Sequence, residues 1–135
     1  MIGLDTNVLL RLSDRTDPQQ VRLARALVLK GGEGGSFVNE IVLAEYVWTL
    51  RRTYKQSRQD VVAKIEALLA SAEIVVARAE LVERALARYK AGPADFADYL
   101  LAEINRAAGC MQTATFDSGA QRSGEPFTPV SLLVE

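Results

Sequence analysis

The sequence predicts an α/β fold: a small, mainly parallel sheet flanked by helices in three layers (α/β/α), as one domain over residues 1–135. Three observations predict it. Short apolar, β-branched runs alternate with longer segments of helical period, the pattern of strands joined by helical crossovers. The helical segments outweigh the strand-like ones, so the sheet is small. A length of 135 residues is enough for one domain with its own core and too short for two of ordinary size.

The first run, Met1-Ile2-Gly3-Leu4, is apolar on both sides and is expected inside a sheet. Asp5 then falls at its carboxyl end, the edge where open α/β sheets bind ligands. A short helical turn over about 6–12 follows. Asp17 is placed to cap a helix that starts at Pro18, a favoured first helical residue, and runs to about Lys30. Val21, Ala24, Leu27 and Val28 share one of its faces. The cluster Gly31-Gly32-Glu33-Gly34-Gly35 stops it. This cluster follows a helix, whereas a phosphate-cradling loop follows a strand and opens a helix. Ser36-Phe37-Val38 predicts a second strand. Asn39 is placed to cap a helix over about 40–54, with Ile41, Ala44, Val47, Trp48 and Leu50 as its buried side. A helix over 56–71, a strand over 73–77 and a helix over 79–91 come next. Gly92-Pro93 breaks the chain. A helix over 95–108 ends at Gly109, a C′ glycine. Strands are expected at 110–115 and 127–130.

Composition narrows the chemistry. Hydrophobic residues make up 49% and charged residues 24%, with a net charge of −1, so no global basic field marks a nucleic-acid binder. A local basic patch matters more than the total. The chain shows no signal-peptide pattern and no apolar run long enough to span a bilayer, which predicts a cytoplasmic protein without a membrane partner. Its single cysteine, Cys110, excludes an intramolecular disulfide and a Cys-rich zinc site. It has no histidine. That excludes serine–histidine and cysteine–histidine triads, HExxH zinc sites and His-ligated iron. Any chemistry rests on carboxylates, hydroxyls, amides, Lys and Arg, and carboxylates alone favour hard cations such as Mg2+ or Mn2+.

Asp5 and Asp117 each end a predicted strand. If those strands are neighbours, two carboxylates meet at one sheet edge; taken singly, each serves equally well as a helix cap. Glu45 shares a helical face with Ile41 and Trp48 and is expected to point toward the core, where Glu is rare unless paired. A place at the rim of that face is the alternative. Asp95 and Asp98 lie three apart on one helical face. Asp95 doubles as a cap, whereas the face of Asp98 continues into Leu101 and Ala102. Asp14, Glu33, Asp60, Glu66, Glu80, Glu83 and Glu125 sit in polar surroundings and are expected to be solvated.

The runs Leu4-Asp5-Thr6-Asn7-Val8-Leu9, Ile41-Val42-Leu43-Ala44-Glu45-Tyr46-Val47-Trp48, Asp95-Phe96-Ala97-Asp98-Tyr99-Leu100-Leu101-Ala102 and Thr115-Phe116-Asp117 together resemble the four ordered motifs of the PIN domain. The resemblance covers nearly the whole chain, and the specific signal is the ordered set. Length, order and the Val-Trp-x-Leu ending of the second motif look like VapC-type toxins of bacterial toxin–antitoxin pairs. The resemblance implies an α/β/α fold, a homodimer, Mg2+- or Mn2+-dependent cleavage of RNA, and inhibition by a VapB-type antitoxin. Carried over residue by residue, Asp5, Glu45, Asp98 and Asp117 match the acidic quartet. Thr6 and Asn7 match the polar residues after the first acid, Thr115 the hydroxyl before the last, and Asp95 either assists or only caps. Asn39 stands where many relatives carry Ser.

On that basis Asp5 and Asp98 are expected to anchor one cation. Asp117 would bind it directly or through water, and Glu45 would hold a second ion or orient the attacking water. Crowded carboxylates repel one another, so an empty site is expected to be strained. Arg11, Arg51, Arg52, Lys55 and Arg58 are candidates for RNA phosphates, which supply salt-dependent affinity without sequence preference; a solvated basic helix end is the alternative. Tyr46, Trp48 and Tyr54 supply either core or a dimer face. Two rivals remain. One is a catalytically idle PIN-like binding module. The other is a haloacid-dehalogenase-like phosphatase, whose motif needs a second Asp where this chain has Asn7.

Overall fold

The computed structural model describes residues 1–134. They carry eight helices and five strands and fall into two compact units, 1–79 and 80–134.

The first unit runs β1 (Ile2–Gly3), α1 (Thr6–Arg11), α2 (Pro18–Lys30), β2 (Ser36–Val38), α3 (Glu40–Arg52), α4 (Arg58–Ala70) and β3 (Ile74–Val76). The strands are parallel in the order β1-β2-β3, with Ile2 opposite Ser36 and Ser36 opposite Ile74. β2 is therefore central, and Ser36 and Val38 are wholly buried. β1, expected inside the sheet, is an edge strand of two residues, and Ile2 is exposed. Helix starts follow local chemistry: Asp17, Asn39 and Ser57 accept from the Gln20, Val42 and Asp60 N–H groups, each satisfying a donor that the first turn leaves open. Leu9, Leu43, Leu50, Val61 and Ile65 fill the core of this unit, each contributing about 1.5–3 kcal/mol by leaving water.

The α3 helix departs from expectation. Its buried residues are Val42, Leu43, Tyr46, Val47 and Leu50, while Ile41 and Trp48 are 70% and 60% exposed and Glu45 is exposed with them. The helix is apolar on two stripes, and the one carrying tyrosine and leucine turned inward. Glu45 thus lies on the open face of α3, and Trp48 is not core.

The second unit contains α5 (Ala79–Ala91), α6 (Phe96–Ala107), β4 (Thr113–Thr115), α7 (Ser118–Arg122), β5 (Phe127–Pro129) and α8 (Ser131–Val134). β4 pairs only with β5, in parallel. β1 and β4 therefore belong to different sheets, and the strand-ending aspartates do not share one hydrogen-bonded sheet edge. Edge-to-face contacts join Tyr89 to Phe96 and Tyr99 to Phe127, with centroids 5.8 and 6.0 Å apart. Gly109, at φ 99°, ends α6 in a conformation that only glycine adopts freely. α7 and α8 were not expected; five and four residues are too few to show a helical period. Among the described residues no helix is long and apolar enough to cross a membrane.

Candidate active site

In the first unit the acids are organised by Thr6. Asp5 follows β1 and caps α1, its Oδ1 accepting the Thr6 N–H at 2.8 Å. The buried Thr6 hydroxyl donates to Glu45 Oε2 at 3.3 Å. One residue therefore holds both carboxylates, through its backbone and its side chain. Asp5 and Glu45 remain open to solvent, as does Asn7.

The second unit brings Asp95, Asp98 and Asp117 into one electrostatic neighbourhood. Asp95 caps α6, and its N–H donates to Asp98 Oδ2 at 3.2 Å. Asp98 is half-buried. Burial pushes its carboxyl above the ordinary range; the Asp95 N–H opposes that shift, and the charges of Asp117 and Asp95 add to it. Asp117 caps α7, with Oδ2 accepting the Ala120 N–H at 2.8 Å, and its own N–H donates to Thr115 Oγ1 at 2.9 Å. Asp117 and Asp5 are thus both caps and candidate ligands, which are not exclusive roles. Asp98 also serves a helix end, closing a capping box with Asp95 at the start of α6, yet burial and the charges of Asp117 and Asp95 still hold its carboxyl above the ordinary range. Among the described residues no group of three or more Asp, Glu or Cys converges to hold a metal ion. Mg2+ takes only one or two carboxylates and keeps its waters, so a repelling Asp98/Asp117 pair of hard oxygen donors still fits such a cation.

The expected RNA-contacting cations divide. Arg11 is held by Gln20 Oε1 at 2.7 Å and by Asp14 at 3.2 Å. Asp14, expected to be solvated, also accepts from the Tyr54 hydroxyl and the Thr16 N–H, and these bonds hold its carboxyl below the usual range. Arg51 donates to the Gln56 carbonyl at 2.8 Å, and Arg52 lies 6.0 Å from the Trp48 ring. Lys55 is exposed. Arg15, Arg22 and Arg25 are not among the cations expected from sequence. They are exposed, form no ion pair among the described residues, and line a groove of about 590 Å³ along α2 with Val21, Ala26 and Leu29. The i, i+3 spacing of Arg22 and Arg25 in α2 was the available signal. Glu103 was also missed: it is buried and accepts from Arg84 Nε at 3.3 Å.

The model of the PIN domain family matches residues 2–125, running through both units. No curated protein matches the chain.

Proposed function

The chain belongs to the PIN domain family, an α/β/α fold whose members are in general metal-dependent nucleases, and from that premise we propose that it is an Mg2+- or Mn2+-dependent endoribonuclease, the toxin of a VapBC-type toxin–antitoxin pair. The observation that carries the reading is Asp98, a half-buried carboxylate set against the charge of Asp117 with no cation beside it among the described residues. Such an arrangement costs stability unless a ligand relieves it, and it is the pattern of a functional acid.

Asp98 and Asp117 would hold the cation. A divalent ion, when bound, supplies an activated water and neutralises charge on the phosphate. By the family resemblance, Asp5 would be a further ligand and Glu45 would orient the attacking water. The Thr6 hydroxyl donates to Glu45 Oε2 and would hold that carboxylate for the role. Thr6 and Thr115 position Glu45 and Asp117 and carry no charge of their own. Arg51 and Arg52, in the last turn of the Glu45 helix, and Lys55 just past it would contact RNA phosphates. Arg11 is already committed to Asp14 and Gln20.

The same reading gives the chain an antitoxin and a second copy as partners, working in the cytoplasm where cellular RNA is. The basic, apolar-floored groove of Arg15, Arg22 and Arg25 suits an acidic amphipathic segment of the antitoxin. The exposed Ile41 and Trp48 support homodimerisation through α3.

The test is cleavage of cellular RNA by purified protein with Mg2+, Mn2+ or EDTA. Cleavage that EDTA abolishes and Asp98→Asn removes is expected. A folded protein that cleaves nothing with either metal would instead be a binding module.

A further inference from the structure

Four polar groups in the second unit form a chain whose direction their protons determine. The Ala94 N–H donates to Tyr99 Oη at 3.1 Å. Tyr99 Oη lies 2.7 Å from Ser123 Oγ. Ser123 Oγ donates to the Gly119 carbonyl at 3.0 Å. A hydroxyl has one proton to give. Ser123 gives its proton to Gly119, so Tyr99 is the donor between the two hydroxyls. The chain runs from Ala94 through Tyr99 and Ser123 to Gly119. Tyr99 is only 1% exposed, so water does not compete, and such chained bonds polarise and strengthen one another.

The ends of this chain sit beside the candidate acids. Ala94 precedes Asp95, the cap of α6, and Asp98 directly precedes Tyr99. Gly119 lies in the first turn of α7, which Asp117 caps, and Ser123 closes the same helix at its other end. The two helix starts touch: a methyl group on Gly119 would stand 3.2 Å from Asp117 Oδ2, 3.3 Å from the Pro93 carbonyl and 3.5 Å from Ala94 Cα. A side chain at Gly92 would overlap Tyr99 Oη. Arg88 closes the arrangement from outside. Its guanidinium lies 5.2 Å from the Tyr99 ring centroid and donates to the Glu125 carbonyl at 2.7 Å. A helix of five residues does not hold its shape alone, so the position of Asp117 depends on such ties.

We propose that Tyr99 and Ser123 are positioning residues that set the separation of the Asp98 and Asp117 carboxylates and thereby the affinity of the pair for a divalent cation. This rests on the assignment of those two acids as cation ligands. Groups that orient metal ligands without touching the metal are typically worth about 10–100-fold in affinity or activity.

The experiment uses the full chain and three variants, Tyr99→Phe, Ser123→Ala and Ser123→Thr. Two readouts are taken: the Mg2+ concentration at the midpoint of the metal-induced thermal shift without RNA, and cleavage kinetics at several Mg2+ concentrations. For Tyr99→Phe and Ser123→Ala the Mg2+ midpoint rises about 10-fold or more. Saturating Mg2+ recovers kcat, and KM for RNA stays constant. Ser123→Thr, which keeps the hydroxyl, restores the parent midpoint. A role confined to stability would lower the melting temperature in EDTA and leave the Mg2+ midpoint within about twofold of the parent; that result overturns the proposal, and Ser123→Ala decides it alone if Tyr99→Phe fails to fold. Asp98→Asn and Asp117→Asn separate the two levels. If both retain the parent's Mg2+ response, the ligand assignment is wrong and the positioning role falls with it. If both lose it while the hydroxyl variants do not, only the positioning role is wrong.

Discussion

Asp98 and Glu103 occupy the same helix, α6, and meet burial in different company. Glu103, at the middle of the helix, is 4% exposed and accepts a charge-assisted bond from Arg84 at 3.3 Å. Asp98, in the first turn, is half-buried with one backbone N–H and the like charges of Asp117 and Asp95 around it. A carboxylate that serves only the fold is given a cation from the chain itself, because a buried charge is expensive without one. Asp98 has none among the described residues, and its arrangement makes sense where the missing cation comes from solution. The contrast with Glu103 is what supports the role proposed for Asp98.

The largest effect expected from this contrast is on cleavage. Asp98→Asn should lower the RNA cleavage rate at saturating Mg2+ by about 100-fold or more, the scale of losing one preorganised electrostatic partner. Glu103→Gln, once folded, should stay within a few-fold of the parent in kcat. Equal losses in the two variants would break the distinction. On stability the ranking reverses. Arg84→Ala leaves Glu103 buried without its donor and should destabilise the fold by about 1–3 kcal/mol, read by urea denaturation in EDTA. No change there would show that Glu103 finds another partner.

The smallest effect is the dependence on pH, and its sign follows from the direction of the Asp98 shift. The carboxyl is raised above 3.8 in the fold, so the metal-free native state holds that proton more tightly than the unfolded chain does. Its stabilising contribution is full below about pH 3.8 and is lost as pH rises through the raised value. Asp98→Asn, which has no charge to lose, should therefore melt higher than the parent in EDTA at pH 7, and the advantage should shrink as pH falls toward 4. Thermal melts at both pH values check it. A parent more stable than the variant at pH 7 without metal would mean that Asp98 is not strained.

Much of the molecule was legible in local sequence. The Asp17-Pro18 start of α2, the Asn39 cap of α3, the extent of α5 and the Gly109 end of α6 all appear where the residues place them, because caps and glycine stops act over a few residues. The face of α3 was not legible. Ile41 and Trp48 form as apolar a stripe as Tyr46 and Leu50 do, and periodicity alone does not rank two apolar stripes. The strands were located but not their neighbours: β1 became an edge, and β4 joined β5. By sequence Asp5 and Asp117 suit a cap as well as a ligand, and both do cap a helix.

By itself, the sequence determined the chemical repertoire and the local elements. A chain without histidine and with one cysteine is left with carboxylates, hydroxyls, amides, Lys and Arg for any chemistry, and capping residues with helical periods place most helices. Only the tertiary structure decided which carboxylates have partners. Arg84 reaches Glu103 across 19 residues of sequence, Thr6 reaches Glu45 across 39, and no cation reaches Asp98 among the described residues. The reason is physical: burial and charge pairing are set by packing between elements distant in sequence, whereas caps and periods are set by the few residues on either side.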